Sequence, residues 1–267
     1  LQKGFLENVD IFIVDPILNT TLSELASFKP ECVFICVPTP VKKDGSQDLH
    51  ILDSVFEEVN KILPKCLIVI KSTVLPDALK SYSLLHKHVV FNPEFLRERF
   101  AVDDFINSKL IVFGGKEEDC LKLDALYKNN TKCIHKEYVH TDIVTASMVK
   151  YAINSFLATK VTFFNQLNEV FAKSGSSGNW SNLISTIALD NRIGLSHMDV
   201  PGPDKRKGFG GACLPKDTQA LIEYADSLDL RFSLLESVMD INNKIRNQYL
   251  DELDRETDQN ISFKKDI

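Results

Sequence analysis

The most chemically informative stretch of the sequence is a glycine-rich segment that ends in a thiol, an ammonium group and a carboxylate. Its letters are GFGGACLPKD, from Gly208 to Asp217. Closely spaced glycines allow a backbone to approach a ligand, and Cys213 follows them with Lys216 nearby. A thiol beside a cation is a candidate nucleophile, whereas free cysteines are most often small buried hydrophobes. Both interpretations stay open on this segment alone.

A second candidate pair lies in a long helical pattern. Lys150 and Asn154 are four residues apart, a spacing that puts both side chains on one helix face. Their neighbours are mostly apolar. The pair is suited to stabilising an oxyanion. The alternative is a lysine that buries its stem and keeps its ammonium group in water.

Polar residues also follow the predicted strands. Asp15 comes directly after one apolar run, Pro38 and Thr39 follow the next, and Thr73 follows a third. Ligands bind at the carboxyl ends of strands in open α/β sheets, and an acidic residue after the second strand accepts hydrogen bonds from the ribose of NAD. These residues form a candidate cofactor site. For each one taken singly, ordinary turn formation is the alternative.

Glu94 and Glu98 follow the fourth predicted strand. If their segment is helical, the two carboxylates share one face. Two carboxylates that close together suit general base catalysis. A solvated helix start is the alternative, because glutamate is favoured there.

The elements that must position these residues are alternating strands and helices. Apolar spacing predicts a helix from Ile51 to Leu63, and continuous apolar runs predict strands buried on both faces, hence a parallel sheet. The predicted strands are Asp10 to Val14, Glu31 to Val37, Cys66 to Ile70, His88 to Phe91 and Lys109 to Phe113. The pattern predicts an α/β fold with a Rossmann-like sheet.

The two ends of this pattern differ from a standard dinucleotide-binding domain. Such a domain normally begins with a strand and a GxGxxG turn, and none precedes Asp10. We therefore expect the chain to lack its first βα unit. A long helix is predicted from Thr141 to Lys173. A helix of this length joins two domains or forms a dimer interface. The further predicted helices are Trp180 to Ala188, Asp217 to Leu228 and Phe232 to Leu253, which indicate an all-helical second domain.

Composition narrows the possible functions. The 267 residues carry a formal net charge of -6 without a basic block, so we expect no nucleic-acid partner. No apolar run approaches membrane-spanning length, and we expect no membrane partner. The six cysteines include no CxxC pair, so no metal site is predicted. Four of them, Cys32, Cys36, Cys66 and Cys133, lie in apolar runs, which favours a reducing, cytoplasmic location.

Taken together, the motifs resemble the UDP-glucose/GDP-mannose dehydrogenase family over nearly the whole chain. The resemblance rests on VPTP, KSTV, NPEFLRE, the K-x-x-x-N helix, DNRIG, VPGPD and GFGGACLPKD. It implies an incomplete Rossmann-like NAD-binding domain at residues 1–138 and an all-helical central domain at 139–256, which forms a homodimer through the long helix. Residues 257–267 are expected to be a tail or linker. Family members carry a third domain, so we expect weak or no turnover from this chain alone.

The resemblance also implies a reaction, in which NAD-dependent four-electron oxidation at C6 converts UDP-glucose to UDP-glucuronate. Six positions match catalytic residues of the family: Cys213 the nucleophile, Lys150 and Asn154 the oxyanion pair, Asp217 a proton-transfer carboxylate, and Glu94 and Thr73 the groups that handle water.

Further positions match binding residues of the family. The implied cofactor contacts are Asp15, Pro38, Thr39, Glu98 and Lys216. The implied substrate contacts are Phe95, Leu96, Arg97, Arg192, Phe209 and Gly210, with Arg192 reaching the substrate of a neighbouring subunit. The alternatives are a dehydrogenase of GDP-mannose or of N-acetylated UDP-sugars, a β-hydroxyacid dehydrogenase that needs no cysteine, and an inactive chain that acts in dimerisation or binding.

Overall fold

The computed structural model describes residues 1–42, 45–97 and 100–249. The chain divides into two compact units. The first unit comprises Leu1–Lys42 and Gln47–Lys150, and the second comprises Lys43–Ser46 and Tyr151–Ile267. The boundary between Lys150 and Tyr151 falls inside the long helix that the sequence predicts.

A sheet of five described strands, arranged in chain order, forms the centre of the first unit. The strands are β1 (Cys32–Ile35), β2 (Leu67–Ile70), β3 (Val89–Phe91), β4 (Val112–Gly115) and β5 (Val139–Thr141). Every residue of β2 and β3 is buried, as expected of strands covered on both faces. The predicted α/β class is confirmed.

The expectation of a wholly parallel sheet is wrong at one junction. β3 and β4 are antiparallel, whereas the other neighbouring strands are parallel. Apolar runs indicate burial on both faces but carry no information about strand direction. Gly115 lies at this junction, where a Cβ atom would come within 2.8 Å of the carbonyl oxygen of Val89.

Helices complete the first unit. They are α1 (Leu22–Phe28), α2 (His50–Ile62), α3 (Pro76–Leu85), α4 (Ala101–Asn107), α5 (Glu117–Asn130) and the first turns of α6 (Ile143–Lys173). The helix predicted from apolar spacing is confirmed as α2. Its fully buried Leu52, Phe56 and Val59 form one face against the core.

The predicted strand at Asp10 to Val14 is wrong. The segment forms no regular element, and Ile11 and Ile13 are 40% and 37% exposed. A strand needs a neighbour that satisfies its backbone groups, and no described strand pairs with this one. Phe12 stacks instead on Phe28 of α1, with the ring centroids 5.6 Å apart.

The described secondary structure of the second unit is helical. It contains the rest of α6, then α7 (Trp180–Ile187), α8 (Leu214–Ser227) and α9 (Ser233–Arg246). The helix α8 begins earlier than predicted because Pro215 occupies its first turn, where proline is favoured. Leu250 to Leu253 of the last predicted helix, and the predicted tail at 257–267, lie outside the described residues. Within the described ranges, no helix combines the length and apolar character of a membrane span.

The sheet continues past the domain boundary predicted at residues 138 and 139. β5 begins at Val139 and pairs with β4 through Val112 and Val139. Its sequence, VHT, is short and mostly exposed, so no apolar run marks it as a strand.

The start of α6 is held by a cap and by close contact with the sheet. Asp142 Oδ1 accepts hydrogen bonds from the backbone N–H groups of Val144 and Thr145, each at 3.0 Å. A hydrogen bond from the Thr145 hydroxyl lowers the pKa of Asp142, so this cap is intact at neutral pH and is lost as the pH falls through that lowered value. Ala146 is fully buried beside Gly114 of β4.

We expect Gly114→Ala to destabilise the protein. The added methyl group would overlap the Cβ atom of Ala146 and lie 3.1 Å from the carbonyl oxygen of Asp142. Overpacking of this kind costs about 1–3 kcal/mol, which should lower the midpoint of urea unfolding. The double variant Gly114→Ala/Ala146→Gly should recover part of the loss, and an unchanged midpoint for the single variant would contradict the close contact.

Candidate active site

A buried lysine in the first unit holds one of the predicted catalytic carboxylates. The side chain of Lys71, directly after β2, is 4% exposed, and its Nζ atom lies 2.5 Å from Glu94 Oε1. The same ammonium group donates to Asn92 Oδ1 at 2.7 Å. A buried charge is stable only with such partners. Lys71 therefore fixes the position of the Glu94 carboxylate.

Asn92 and Tyr127 complete the surroundings of Lys71. The Tyr127 hydroxyl donates to Asn92 Oδ1 at 2.6 Å, and Asn92 Nδ2 donates to the carbonyl oxygen of Val112 at 3.0 Å. Burial raises the pKa of Tyr127 well above its ordinary value, so the phenol stays a donor. Lys71 and Asn92 belong to the KSTV and NPEFLRE motifs, but no local pattern marked Tyr127 on α5.

The side chain of Lys150 contacts the backbone of the segment that contains Glu94. The Lys150 Nζ atom donates to the carbonyl oxygen of Glu94 at 2.6 Å and lies 5.5 Å from the centre of the Phe95 ring. Lys150 is 7% exposed. This burial does not fit the alternative in which its ammonium group extends into water.

The expected shared helix face of Glu94 and Glu98 is not found. Residues 92–97 form no helix, and Glu98 lies outside the described residues. The backbone N–H of Arg97 donates to Asp104 Oδ2 at 2.8 Å, so a side-chain carboxylate takes the donor that a helix would use internally.

The ends of β1 and β2 are joined by hydrogen bonds. Thr39, which is buried, donates its hydroxyl to the carbonyl oxygen of Thr73 at 2.9 Å. Gln47, which the sequence analysis missed, donates to the same oxygen at 2.7 Å. Ser72 donates to the carbonyl oxygen of Val37 at 2.6 Å, next to the exposed Pro38. The segments that follow β1 and β2, which carry Thr39 and Thr73 of the candidate cofactor site, therefore lie together.

Asp15 caps a short 3-10 helix, Pro16–Leu18. Its Oδ1 atom accepts the backbone N–H of Ile17 at 2.8 Å, and its own N–H donates to the Thr20 hydroxyl at 3.0 Å. This is the turn-forming role that stood as the alternative. The other carboxylate oxygen makes no hydrogen bond to any described residue, so an acceptor for ribose hydroxyls is still present.

The predicted substrate contacts of the first unit are partly engaged within the protein. Arg97 Nη2 pairs with Asp104 Oδ1 at 2.7 Å, although the side chain is 71% exposed. The hydrogen bonds between the two groups raise the pKa of Arg97 and lower that of Asp104. Phe95 and Leu96 are half-buried.

Cys213 occupies the N-cap position of α8 in the second unit and is exposed. The partial positive charge at the start of a helix favours an anion there. The carbonyl oxygen of Cys213 accepts the N–H of Asp217 at 2.9 Å, which fixes the first turn. The alternative of a buried, purely packing cysteine does not fit this position.

The carboxylate of Asp217 is buried between two other predicted residues. Asn154 Nδ2, on α6, donates to Asp217 Oδ2 at 2.6 Å. Lys216 Nζ lies 2.5 Å from Oδ1, and the Asp217 side chain is 1% exposed. The second unit thus brings Asn154, Lys216 and Asp217 together, one turn of α8 from Cys213.

The glycine loop before Cys213 is held by two buried asparagines that the sequence analysis missed. Asn165 Oδ1 accepts the N–H of Gly208 at 2.9 Å, and Asn242 bonds both the N–H and the carbonyl oxygen of Phe209, at 2.7 and 2.9 Å. Gly208 has a φ of 76°, and a Cβ atom there would lie 2.6 Å from Asn242 Oδ1. Only glycine fits this position.

Phe209 and Gly210, two of the predicted substrate contacts, differ in how deeply they are buried. The side chain of Phe209 packs on Ala158 and Val238 and is 4% exposed, and Asn242 bonds both of its backbone groups. Gly210, which follows it, is half-buried.

Arg192 lies on an exposed loop. It pairs with Asp190 through Nη2 and Oδ2 at 2.6 Å, and hydrogen bonds between the two groups raise its pKa and lower that of Asp190. Lys160 on α6 holds the loop by donating to the carbonyl oxygens of Ile193 and Gly194 at 3.0 and 2.9 Å. Burial lowers the pKa of Lys160.

Comparison with known proteins identifies two consecutive domains. Residues 15–131 match the NAD binding domain of the UDP-glucose/GDP-mannose dehydrogenase family, and residues 144–244 match the central domain of the same family. These matches cover the polar groups of both units described above.

Individual relatives agree with the domain matches. The UDP-glucose 6-dehydrogenase of Rickettsia felis is 37% identical over 235 residues, covering 84% of this chain and 50% of that protein. UDP-glucose 6-dehydrogenase TuaD of Bacillus subtilis is 31% identical over 263 residues, covering 94% of this chain and 55% of that protein. The structure of a UDP-glucose dehydrogenase from Pyrobaculum islandicum superposes with a TM-score of 0.73 at 31% identity, covering 86% of this chain and 54% of that one.

The chain spans about half the length of the curated relatives it matches. Both family domains are matched in order, and the motifs that carry the resemblance lie within them or directly beside them. The chain therefore belongs to the UDP-glucose/GDP-mannose dehydrogenase family.

Proposed function

We propose that this chain carries the catalytic residues of an NAD-dependent nucleotide-sugar dehydrogenase that oxidises UDP-glucose to UDP-glucuronate. The observation that carries the proposal is the exposed thiol of Cys213 at the start of α8, one turn before the buried Asp217 carboxylate. The relatives named UDP-glucose 6-dehydrogenase support the choice of substrate.

NAD is the proposed cofactor, and residues of the first unit fit it. Asp15 keeps a carboxylate oxygen available as a ribose acceptor, and Thr39 lies at the joined ends of β1 and β2. Pro38, Glu98 and Lys216 are proposed as further contacts. When bound, NAD accepts a hydride from C6 of the sugar in each of the two oxidations.

Cys213 is the proposed nucleophile. After the first oxidation turns the C6 alcohol into an aldehyde, the thiolate adds to the carbonyl carbon and forms a thiohemiacetal. Loss of the second hydride leaves a thioester on Cys213. Water then attacks the thioester, the C–S bond breaks, and the carboxylate product and the free thiol are released. A thiolate suits this sequence because it both attacks and leaves readily.

The remaining catalytic roles are assigned by residue type and local contacts. Asp217 transfers protons beside the thiol, supported by its hydrogen bond from Asn154. Asn154 and Lys150, four residues apart on α6, stabilise the developing oxyanion at C6. Glu94 and Thr73 handle the attacking water, and the ion pair with Lys71 keeps the Glu94 carboxylate in place.

Domain and substrate assignments follow the same family pattern. We assign residues 1–138 together with β5 to NAD binding and the residues from the end of β5 to 256 to the central domain, and the two family matches lie within these bounds. The residues assigned to the sugar nucleotide are Phe95, Leu96, Arg97, Arg192, Phe209 and Gly210. Relatives that act on GDP-mannose or on N-acetylated UDP-sugars define the competing substrates.

A homodimer through α6 is also proposed. Phe156, Phe163 and Val170 recur every seven residues on this helix and are 66%, 58% and 65% exposed. A seven-residue repeat keeps side chains on nearly one helix face, and exposed apolar residues that recur along one face, here called the stripe, are typical of an interaction surface. Two copies of the same stripe match each other about a twofold axis.

The proposed location is the cytoplasm. Cys66, Cys120 and Cys133 are reduced thiols buried in the core. Buried cysteines that stay reduced are typical of a reducing compartment.

We expect Cys213→Ser to abolish acid formation. With the protein in excess over UDP-glucose and with NAD saturating, the wild type should form UDP-glucuronate and two equivalents of NADH, measured by mass spectrometry and absorbance. A serine alkoxide is a poorer leaving group, so acid formation should fall by several orders of magnitude. Cys36→Ser, which alters the other exposed thiol, should leave the product unchanged.

Two results would contradict this assignment. Acid formation by Cys213→Ser at the wild-type rate would indicate chemistry that needs no cysteine. Absence of product from the wild type, even at stoichiometric protein, would contradict the proposed activity. Parallel reactions with GDP-mannose and UDP-N-acetylglucosamine identify the nucleotide sugar.

Phe163→Asp should convert the dimer to a monomer. A charge in the centre of the stripe would be buried without a partner on association. Sedimentation velocity at micromolar protein should show a dimer for the wild type and a monomer for the variant, with unchanged circular dichroism. Ser181→Asp adds the same charge at an exposed position on α7 and should stay dimeric. A monomeric wild type, or a dimeric Phe163→Asp, would exclude this interface.

A further inference from the structure

A cluster of one imidazole and two carboxylates lies in the first unit, among residues to which no role has been assigned above. His88 directly precedes β3, and Glu118 and Asp119 lie in the first turn of α5. One ligand atom from each of the three side chains lies within 4.8 Å of the others. Imidazole nitrogen and carboxylate oxygen are donors that zinc accepts, at about 2.0–2.2 Å.

Asp119 is the member of the cluster whose surroundings indicate a cation site. Its side chain is 0% exposed. Oδ1 accepts from His88 Nδ1 at 2.9 Å and pairs with Lys122 Nζ at 2.9 Å. Oδ2 is also buried and has no hydrogen-bond partner within the described part of the chain. A buried carboxylate oxygen without a partner costs free energy, and a bound metal ion would supply the missing interaction.

The position of α5 explains only part of this cluster. Glu117, Glu118 and Asp119 are all in its first turn, where the helix dipole favours acidic residues. The dipole accounts for three adjacent acids at this helix end. It accounts neither for the complete burial of Asp119 nor for the imidazole placed against it.

We propose that His88, Glu118 and Asp119 form a binding site for a divalent transition-metal ion, with zinc as the best match to one imidazole and two carboxylates. Three protein ligands leave one tetrahedral position for water. The bound ion would join the start of β3 to the start of α5. The site uses no cysteine, and His88 is distant in sequence from the two acids, so a search for CxxC pairs does not find it.

Lys122 makes the proposal more specific. Its ammonium group occupies Asp119 Oδ1, but its side chain is 56% exposed and can turn into water. Lys122 at Oδ1 and zinc at Oδ2 would therefore be two cations on one carboxylate, and they would repel each other. Removing the ammonium group should strengthen zinc binding, which is the opposite of what general loss of structure would do.

Isothermal titration of the reduced protein with zinc chloride tests the site. The wild type should bind one equivalent. Glu118→Gln should weaken binding at least about 10-fold, because even the partners of metal ligands contribute that much. Glu117→Gln, which removes the neighbouring exposed charge but no ligand atom of the cluster, should bind as the wild type does. Lys122→Met should bind several-fold more tightly.

Several results would overturn the site. These are the absence of zinc binding to the wild type, binding that Glu118→Gln leaves unchanged, and binding that Lys122→Met fails to strengthen. Binding that survives Glu118→Gln and is lost in Cys213→Ser would place the ion on a thiol, which also overturns the proposal. Glu118 is exposed, so its variant should fold normally even if a His88 variant does not. Zinc binding is measured without turnover, so its outcome is separate from that of the proposed dehydrogenase activity.

Discussion

The buried carboxylate of Asp217 constrains how the second unit is built. Removing a charge from water costs several kcal/mol unless hydrogen bonds and an opposite charge compensate for it. Asn154 on α6 and Lys216 on α8 supply both. Lys216 and Asp217 both lie in the first turn of α8, and the start of this helix at Leu214 leaves Cys213 at its N-cap. The compensated carboxylate and the thiol therefore belong to the same helix end.

The first unit also contains a buried charge that needs compensation, but here the buried group is a cation. Lys71 is almost completely buried at the end of β2, and the Glu94 carboxylate compensates its charge. Asn92 and Tyr127 supply neutral partners, and Asn92 is in turn bonded to β4. A network in which every polar group has a partner has few alternative arrangements. The carboxylate that we assign to water handling is held by the core of the sheet.

Sequence patterns predicted the elements that depend on local periodicity. The strands β1 to β4 and the helix α2 follow apolar runs or helical spacing, so their own residues identify them. β5 was not predicted because its sequence, VHT, is not an apolar run. The antiparallel direction of β4 was not predicted because it depends on how neighbouring strands pair. The motifs named the site residues, whereas their supports Tyr127, Asn165 and Asn242 come from distant segments. Only the fold brings such partners together, so no single-sequence pattern reveals them.

The two arginines assigned to the substrate illustrate a different balance. Arg97 and Arg192 each pair with a nearby carboxylate, Asp104 and Asp190, and both guanidinium groups are largely exposed. Exposed ion pairs add little stability, because water solvates the separated charges almost as well. An anionic ligand can therefore replace either carboxylate at small cost, and a phosphate group also matches the planar donors of arginine. The buried groups in each unit hold the reactive residues in place. The exposed ion pairs leave the two arginines in water, where a ligand anion can replace the carboxylate partner.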